Sequence, residues 1–165
     1  FDPQTRLYNP ALGGGALLDI GIYPVAYPTL VFGGRPRALH ARARLAPSGV
    51  DETICILTEH SSGGFGQLTA SLRVKGTNHA IICGSKGIIE VSDFWHSEKA
   101  ILKTHDGKTL KAVGTSGLDH EVLAVVKSIR KGLTEHPFMP LSESIMLAEI
   151  MDEVRSQIGV RYPGE

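Results

Sequence analysis

The chain has 165 residues, enough for one domain that buries ~70% of the surface its unfolded chain would expose. Lys+Arg and Asp+Glu both number 17, so the formal charge is zero. That balance gives no electrostatic footprint for nucleic acid or an anionic membrane.

No apolar run in the sequence approaches the ~20 residues of a membrane span. There is no signal peptide, and the start at Phe1 rather than Met reads as a fragment boundary. Cys55 and Cys83 each lie in a strand-like apolar run and read as buried free thiols, which fits a reducing cytoplasm. A Cys55–Cys83 disulfide stays open as the alternative.

Residues 1–12 are loop-like, with Pro3, Asn9 and Pro10. They bring Arg6, a candidate anion clamp, close to the run Gly13, Gly14, Gly15. The stretch 13–23 reads GGGALLDIGIY. Its glycines lead into an apolar helix that carries one carboxylate, Asp19, and one phenol, Tyr23, four residues on. Residues four apart share a helix face. A carboxylate among Leu17, Leu18, Ile20 and Ile22 is costly to bury unless paired, so Asp19 has a partner or lines a polar cleft. Pro24 and Pro28 lack the N–H of a helix interior, which predicts a kink or restart near Tyr23. Gly33 and Gly34 end the run as a C-terminal cap.

From Pro36 to Val113 the period changes to two. Leu39, Ala41, Ala43 and Leu45 alternate with His40, Arg42 and Arg44, and Leu68, Ala70 and Leu72 alternate with polar residues in the same way. Turns are marked at 62–64, at 84–87 and at Asp106–Gly107, the last a hairpin signal. Six or seven short strands make a largely antiparallel sheet. Two helices follow. The first has the stripe Leu118, Val122, Val125, Val126, Ile129 and Leu133, and stops at Gly132. In the second, Ser142 is a candidate N-cap, with Glu143 in its first turn. Leu147, Ile150, Met151, Val154 and Ile158 form its stripe, and Gly159 ends it. Both stripes are expected in the core. The fold class is therefore α+β: a large, mostly antiparallel open sheet with helices on one face.

The glycine run fits neither nucleotide fingerprint. A proline-bearing loop precedes it instead of a strand, Leu18 stands where a third glycine is needed, and Ala16-Leu17 replaces Lys-Ser/Thr. No two of the seven histidines are spaced for a helical metal site, so no metal is expected. Asp119, His120 and Glu121 read as an ordinary first helical turn.

Residues 6–23 (RLYNPALGGGALLDIGIY) resemble the opening of the C-terminal domain of the glucose–fructose oxidoreductase, inositol dehydrogenase and MocA family. The tail is similar too: Met139-Pro140-Leu141, Glu143-Ser144, Met151-Asp152-Glu153-Val154-Arg155 and Gln157-Ile158-Gly159. The resemblance covers nearly the whole chain. It implies a glyceraldehyde-3-phosphate dehydrogenase-like C-terminal domain over residues 1–165, preceded in the intact protein by a Rossmann domain that binds NAD or NADP. It also implies that Asp19 binds substrate hydroxyls. The position of Tyr23 is commonly histidine in the family, but tyrosine in dihydrodiol and D-xylose dehydrogenase-like members, so those are the nearest relatives. The family's Glu-Lys-Pro motif has no match here, since Glu98-Lys99 is followed by Ala100.

The chemistry agrees with this resemblance. Oxidising a carbinol needs hydride loss and loss of the hydroxyl proton. A phenol, with an unperturbed pKa near ~10, needs a nearby cation to act as a base at neutral pH. A lysine of the first domain would be that cation. The expectations are thus a catalytic Tyr23 that also borders the cofactor, substrate binding by Asp19 and Arg6, a sugar, polyol or diol substrate, a homodimer through the sheet, and a cytoplasmic setting. On its own the chain is expected to be inactive. The rival reading is a non-catalytic ligand-sensing or dimerisation module of the same fold.

Overall fold

The structure is a computed structural model that describes residues 2–165; Phe1, the first residue of the expected loop, lies outside them. The described residues form two compact units, one made of residues 2–75 with Met139–Glu165 and the other of Gly76–Phe138.

In the first unit, short 3-10 turns at Arg6–Tyr8 and Pro10–Leu12 lead to the glycine run. One π-helical turn, Leu17–Gly21, then runs directly into helix α1, Ile22–Phe32. The helical run continues through Tyr23 without a gap, and the change from π to α winding falls at Ile22, beside the position where Pro24 and Pro28 predict a kink or restart. Pro24 cannot donate to the Ile20 carbonyl, and its ring crowds that position. The wider turn upstream absorbs the misfit, as single π turns do within α-helices. Gly33 caps α1 with φ +80°, its N–H donating to the Thr29 carbonyl at 3.0 Å. By length and composition the helical run Pro10–Phe32 would suffice to cross a membrane, which corrects the expectation that no apolar run approaches that length. Here Ala16, Leu17 and Val25 from that run are core residues of the unit.

Strands β1 (Ala38–Leu45), β2 (Asp51–Glu59) and β3 (Phe65–Ser71) form an antiparallel sheet in the order β1-β2-β3. The alternation seen in the sequence decides the faces: Leu39, Ala41, Ile54, Ile56 and Ala70 are buried, while His40, Arg42 and Gln67 are exposed. Helix α3 (Leu141–Ile158) lays Leu147, Ile150 and Val154 on this core, as its stripe predicts, and Gly159 ends it at φ +74°. Its start differs from expectation. Ser142 makes no cap, because the N-cap falls two residues earlier, at the extended Pro140, and the helix begins at Leu141. Near its end the Gln157 amide accepts from Ala41 N at 2.9 Å and donates to Leu39 O at 3.0 Å, so a side chain continues the ladder along the edge of β1.

The second unit is a meander of β4 (Ala80–Gly84), β5 (Gly87–Val91), β6 (Lys99–Thr104) and β7 (Thr109–Val113), followed by α2 (Asp119–Arg130). The Asp106–Gly107 hairpin joins β6 to β7, with Gly107 at φ +88°. The architecture is α+β with antiparallel pairing throughout. The strands divide into one sheet of three and one of four, instead of a single large sheet. An irregular stretch after β3, with Asn78 at φ +51°, interrupts the ladder.

Two burial expectations are corrected. The stripe of α2 is exposed at Val122, Val125 and Ile129, and Leu118 and Leu133 flanking the helix are exposed too. Periodicity marks a face that favours cover, but it does not identify the cover. Cys55 and Cys83 are free, as read, yet both are exposed, because each falls on the outward register of its strand.

His60, at the end of β2, is 2% exposed and packs on the Phe32 ring with centroids 4.8 Å apart. Its Nδ1 has no hydrogen-bond partner, and Nε2 lies 3.3 Å from Thr58 Oγ1. Burial pushes its pKa down. The unfolded chain therefore takes up the proton first, at about pH 6.5. Stability should fall as pH drops through that value towards the lower folded one, by up to ~1.4 kcal/mol per pH unit. His60→Gln should flatten the urea midpoint between neutral pH and about pH 5. An unchanged pH slope in that variant would refute the assignment.

Candidate functional site

The first unit brings Arg6 and Asp19 together. Arg6 Nη2 donates to Asp19 Oδ1 at 2.5 Å, with the two side chains 61% and 20% exposed. The carboxylate therefore has the partner that its apolar neighbours require, and the pair sits at the rim of the unit. Tyr23 follows four residues later, just past the π turn, and is 46% exposed. All three predicted residues thus belong to the start of one helix and the loop beside it. Two of them are in direct contact. Among the described residues, no three His, Cys, Asp or Glu side chains gather where they could share a metal ion.

The glycines serve packing more than ligand binding. A Cβ on Gly14 would stand 2.8 Å from the carbonyls of both Arg6 and Leu7. A Cβ on Gly15, whose φ is +122°, would stand 2.5 Å from Asp51 Oδ1 and 3.3 Å from the Tyr162 hydroxyl. Only glycine lets the loop bearing Arg6 and the helix bearing Asp19 approach so closely.

Asp51, the first residue of β2, is fully buried and went unnoticed in the sequence. Its Oδ2 accepts from the Leu17 amide at 2.7 Å, while Oδ1 has no hydrogen-bond partner. Burial raises its pKa, and the amides of Leu17, Asp51 itself and Ala16 oppose that rise. Tyr162, also unforeseen, donates its hydroxyl to the Gly14 carbonyl at 2.6 Å. Burial first, then the nearby Asp51 charge, pushes the Tyr162 phenol up to about 12. The one signal available was a carboxylate heading an apolar strand, and that does not say which helix it meets.

Comparison with known proteins identifies the family. Residues 1–90 match the family model described as the GFO/IDH/MocA C-terminal domain. The chain is 38% identical over 168 residues to trans-1,2-dihydrobenzene-1,2-diol dehydrogenase of Xenopus laevis, covering 96% of this chain and 51% of that protein. It is 36% identical to the human enzyme of the same name, covering 96% and 50%. The chain therefore spans about half the length of the curated relatives it matches. Among solved structures, a 3-ketoreductase from Actinomadura kijaniata, in complex with NADP and TDP-benzene, superposes with a TM-score of 0.78 at 25% identity, covering 95% of this chain and 50% of that one. These relatives are oxidoreductases, and on the match of more than half its length the chain belongs to the GFO/IDH/MocA C-terminal domain family.

Proposed function

We propose that residues 1–165 are the substrate-side and oligomerisation domain of an NAD(P)-dependent oxidoreductase acting on a sugar, polyol or diol. The observation that carries this reading is the Arg6–Asp19 pair one turn from an exposed Tyr23, in a chain this similar to dihydrodiol dehydrogenases. Held as phenolate by a cation from the preceding domain, Tyr23 would take the hydroxyl proton as the carbinol carbon gives up hydride, and it would also border the bound cofactor. Asp19 accepts from substrate hydroxyls, and the hydrogen bond from Arg6 holds its carboxylate in place. The cofactor, when bound, would supply the hydride acceptor, and a preceding Rossmann domain would hold its phosphates, since the glycine run here fits neither nucleotide fingerprint. A cytoplasmic setting goes with this reading, since both thiols are free.

The test is nicotinamide-dependent turnover by the intact protein on a panel of diols and sugars, alongside titration of the 165-residue chain with NAD and NADP. The intact protein should turn over at least one substrate. The isolated chain should do nothing and bind neither cofactor at micromolar concentration. An intact protein without nicotinamide-dependent activity would favour the non-catalytic alternative.

The outer face of the three-stranded sheet is the proposed dimer surface. His40, Arg42, Cys55, Leu57 and Gln67 line a shallow groove of about 500 Å³ there. A two-fold pair is the commonest closed arrangement. Sedimentation of the intact protein should give a dimer, and a strict monomer at high concentration would count against this face.

A further inference from the structure

The helix that carries Asp19 and Tyr23 has no cap of its own. Residue 16 is alanine, no side chain near it caps the first turn, and the residues before it are glycines. The first amides of a helix need acceptors from somewhere. Here the acceptor comes from 34 residues away, as Asp51 Oδ2 meets the Leu17 amide inside the protein. A carboxylate suits the positive end of a helix. Yet burying one with Oδ1 unpartnered costs stability, so the arrangement calls for a reason beyond folding.

A third part of the chain converges on the same spot. Tyr162 lies in the tail after α3, and its hydroxyl holds the Gly14 carbonyl at 2.6 Å. The Arg155 guanidinium lies 4.8 Å over the Tyr162 ring and pairs with Glu165, which also accepts from the Tyr162 amide at 3.1 Å. Asp51 and Tyr162 thus grip two successive stretches, Gly14 and Leu17, on either side of the Gly15 close approach. What they grip is the start of the π turn. Winding the same residues as α-helix would turn those before the change by about 100° against those after it, one residue's worth. Asp19 lies inside that turn and Tyr23 just beyond it.

The structure assigns Asp51 and Tyr162 as positioning residues that pin the entry of the π turn and so set the direction of Asp19 relative to Tyr23. This rests on the function proposed above for those two side chains. Asp51 is fully buried and Tyr162 is spent on the Gly14 carbonyl, so both act through the backbone they hold.

The experiment uses the intact enzyme with Tyr162→Phe, Asp51→Ala and Asp51→Asn, and Tyr23→Phe beside them. Two readouts are taken: steady-state kinetics, and amide hydrogen exchange of the peptide covering residues 15–23. One lost hydrogen bond of this kind is worth up to about tenfold. Tyr162→Phe should lower kcat about tenfold, leave the KM for the nicotinamide unchanged, and speed exchange of residues 15–23 about as much. Asp51→Ala should do both more strongly. Asp51→Asn keeps a carbonyl for the Leu17 amide and should restore both to within about threefold of wild type. Wild-type kcat and wild-type exchange in both Tyr162→Phe and Asp51→Ala would overturn the assignment. So would losses that Asn does not rescue. If Tyr23→Phe keeps full kcat, the functional reading fails, and the exchange data alone decide the positioning role.

Discussion

Tyr23→Phe in the intact enzyme should lower kcat by about 10²–10⁴-fold, the usual contribution of a general acid–base group, with little change in melting temperature. The substitution keeps the ring and removes only the hydroxyl. Tyr23 is 46% exposed, so little packing depends on that group. Asp19→Asn should act differently. It weakens the bond from Arg6 and the acceptor offered to substrate hydroxyls, so KM should rise along with any fall in kcat. Steady-state kinetics with both substrates varied separates the two. Near-normal kcat in Tyr23→Phe would remove Tyr23 from catalysis and leave Asp19 as the site residue.

Gly15→Ala should be among the most damaging single methyl additions in the first unit, costing about 3 kcal/mol or more. Two penalties add at one place. The backbone φ of +122° disfavours any Cβ, and that Cβ would press to 2.5 Å on Asp51 Oδ1, a short buried side chain with little room to yield. Gly33→Ala is the control. Its φ of +80° is also left-handed, but nothing lies within 4 Å of the added carbon, so the cost should be about 1–2 kcal/mol. Denaturant midpoints of the two variants test the difference. Equal midpoints would show that the contact with Asp51 relaxes freely.

Local signals were legible because their causes are local. Alternation along β1 sorted Leu39 and Ala41 inward and His40 and Arg42 outward, and the stripe of α3 marked its buried face. Asp106–Gly107 marked a turn, and the apolar setting of Asp19 called for a partner, which Arg6 provides thirteen residues upstream. The π turn was illegible because two prolines announce a disturbance without saying whether the helix breaks or widens. Asp51 and Tyr162 were illegible because they meet Leu17 and Gly14 from 34 and 148 residues away, and no spacing rule spans such distances. The exposure of α2 and of both thiols shows the same limit, since a pattern marks a face but does not say whether anything covers it.

The Arg6–Asp19 pair also decides how the proposed site looks from a distance. With its charges 2.5 Å apart it is a compact dipole of zero net charge, in a chain whose overall balance is zero as well. A dipole's field decays faster than a single charge's, and salt screens what is left within about 10 Å. An uncharged polyhydroxy molecule would therefore be neither drawn in nor turned away by this domain until it is nearly in contact. Its capture would follow diffusion and fit, and this domain's share of the encounter rate should stay flat with ionic strength, unlike sites that steer charged ligands.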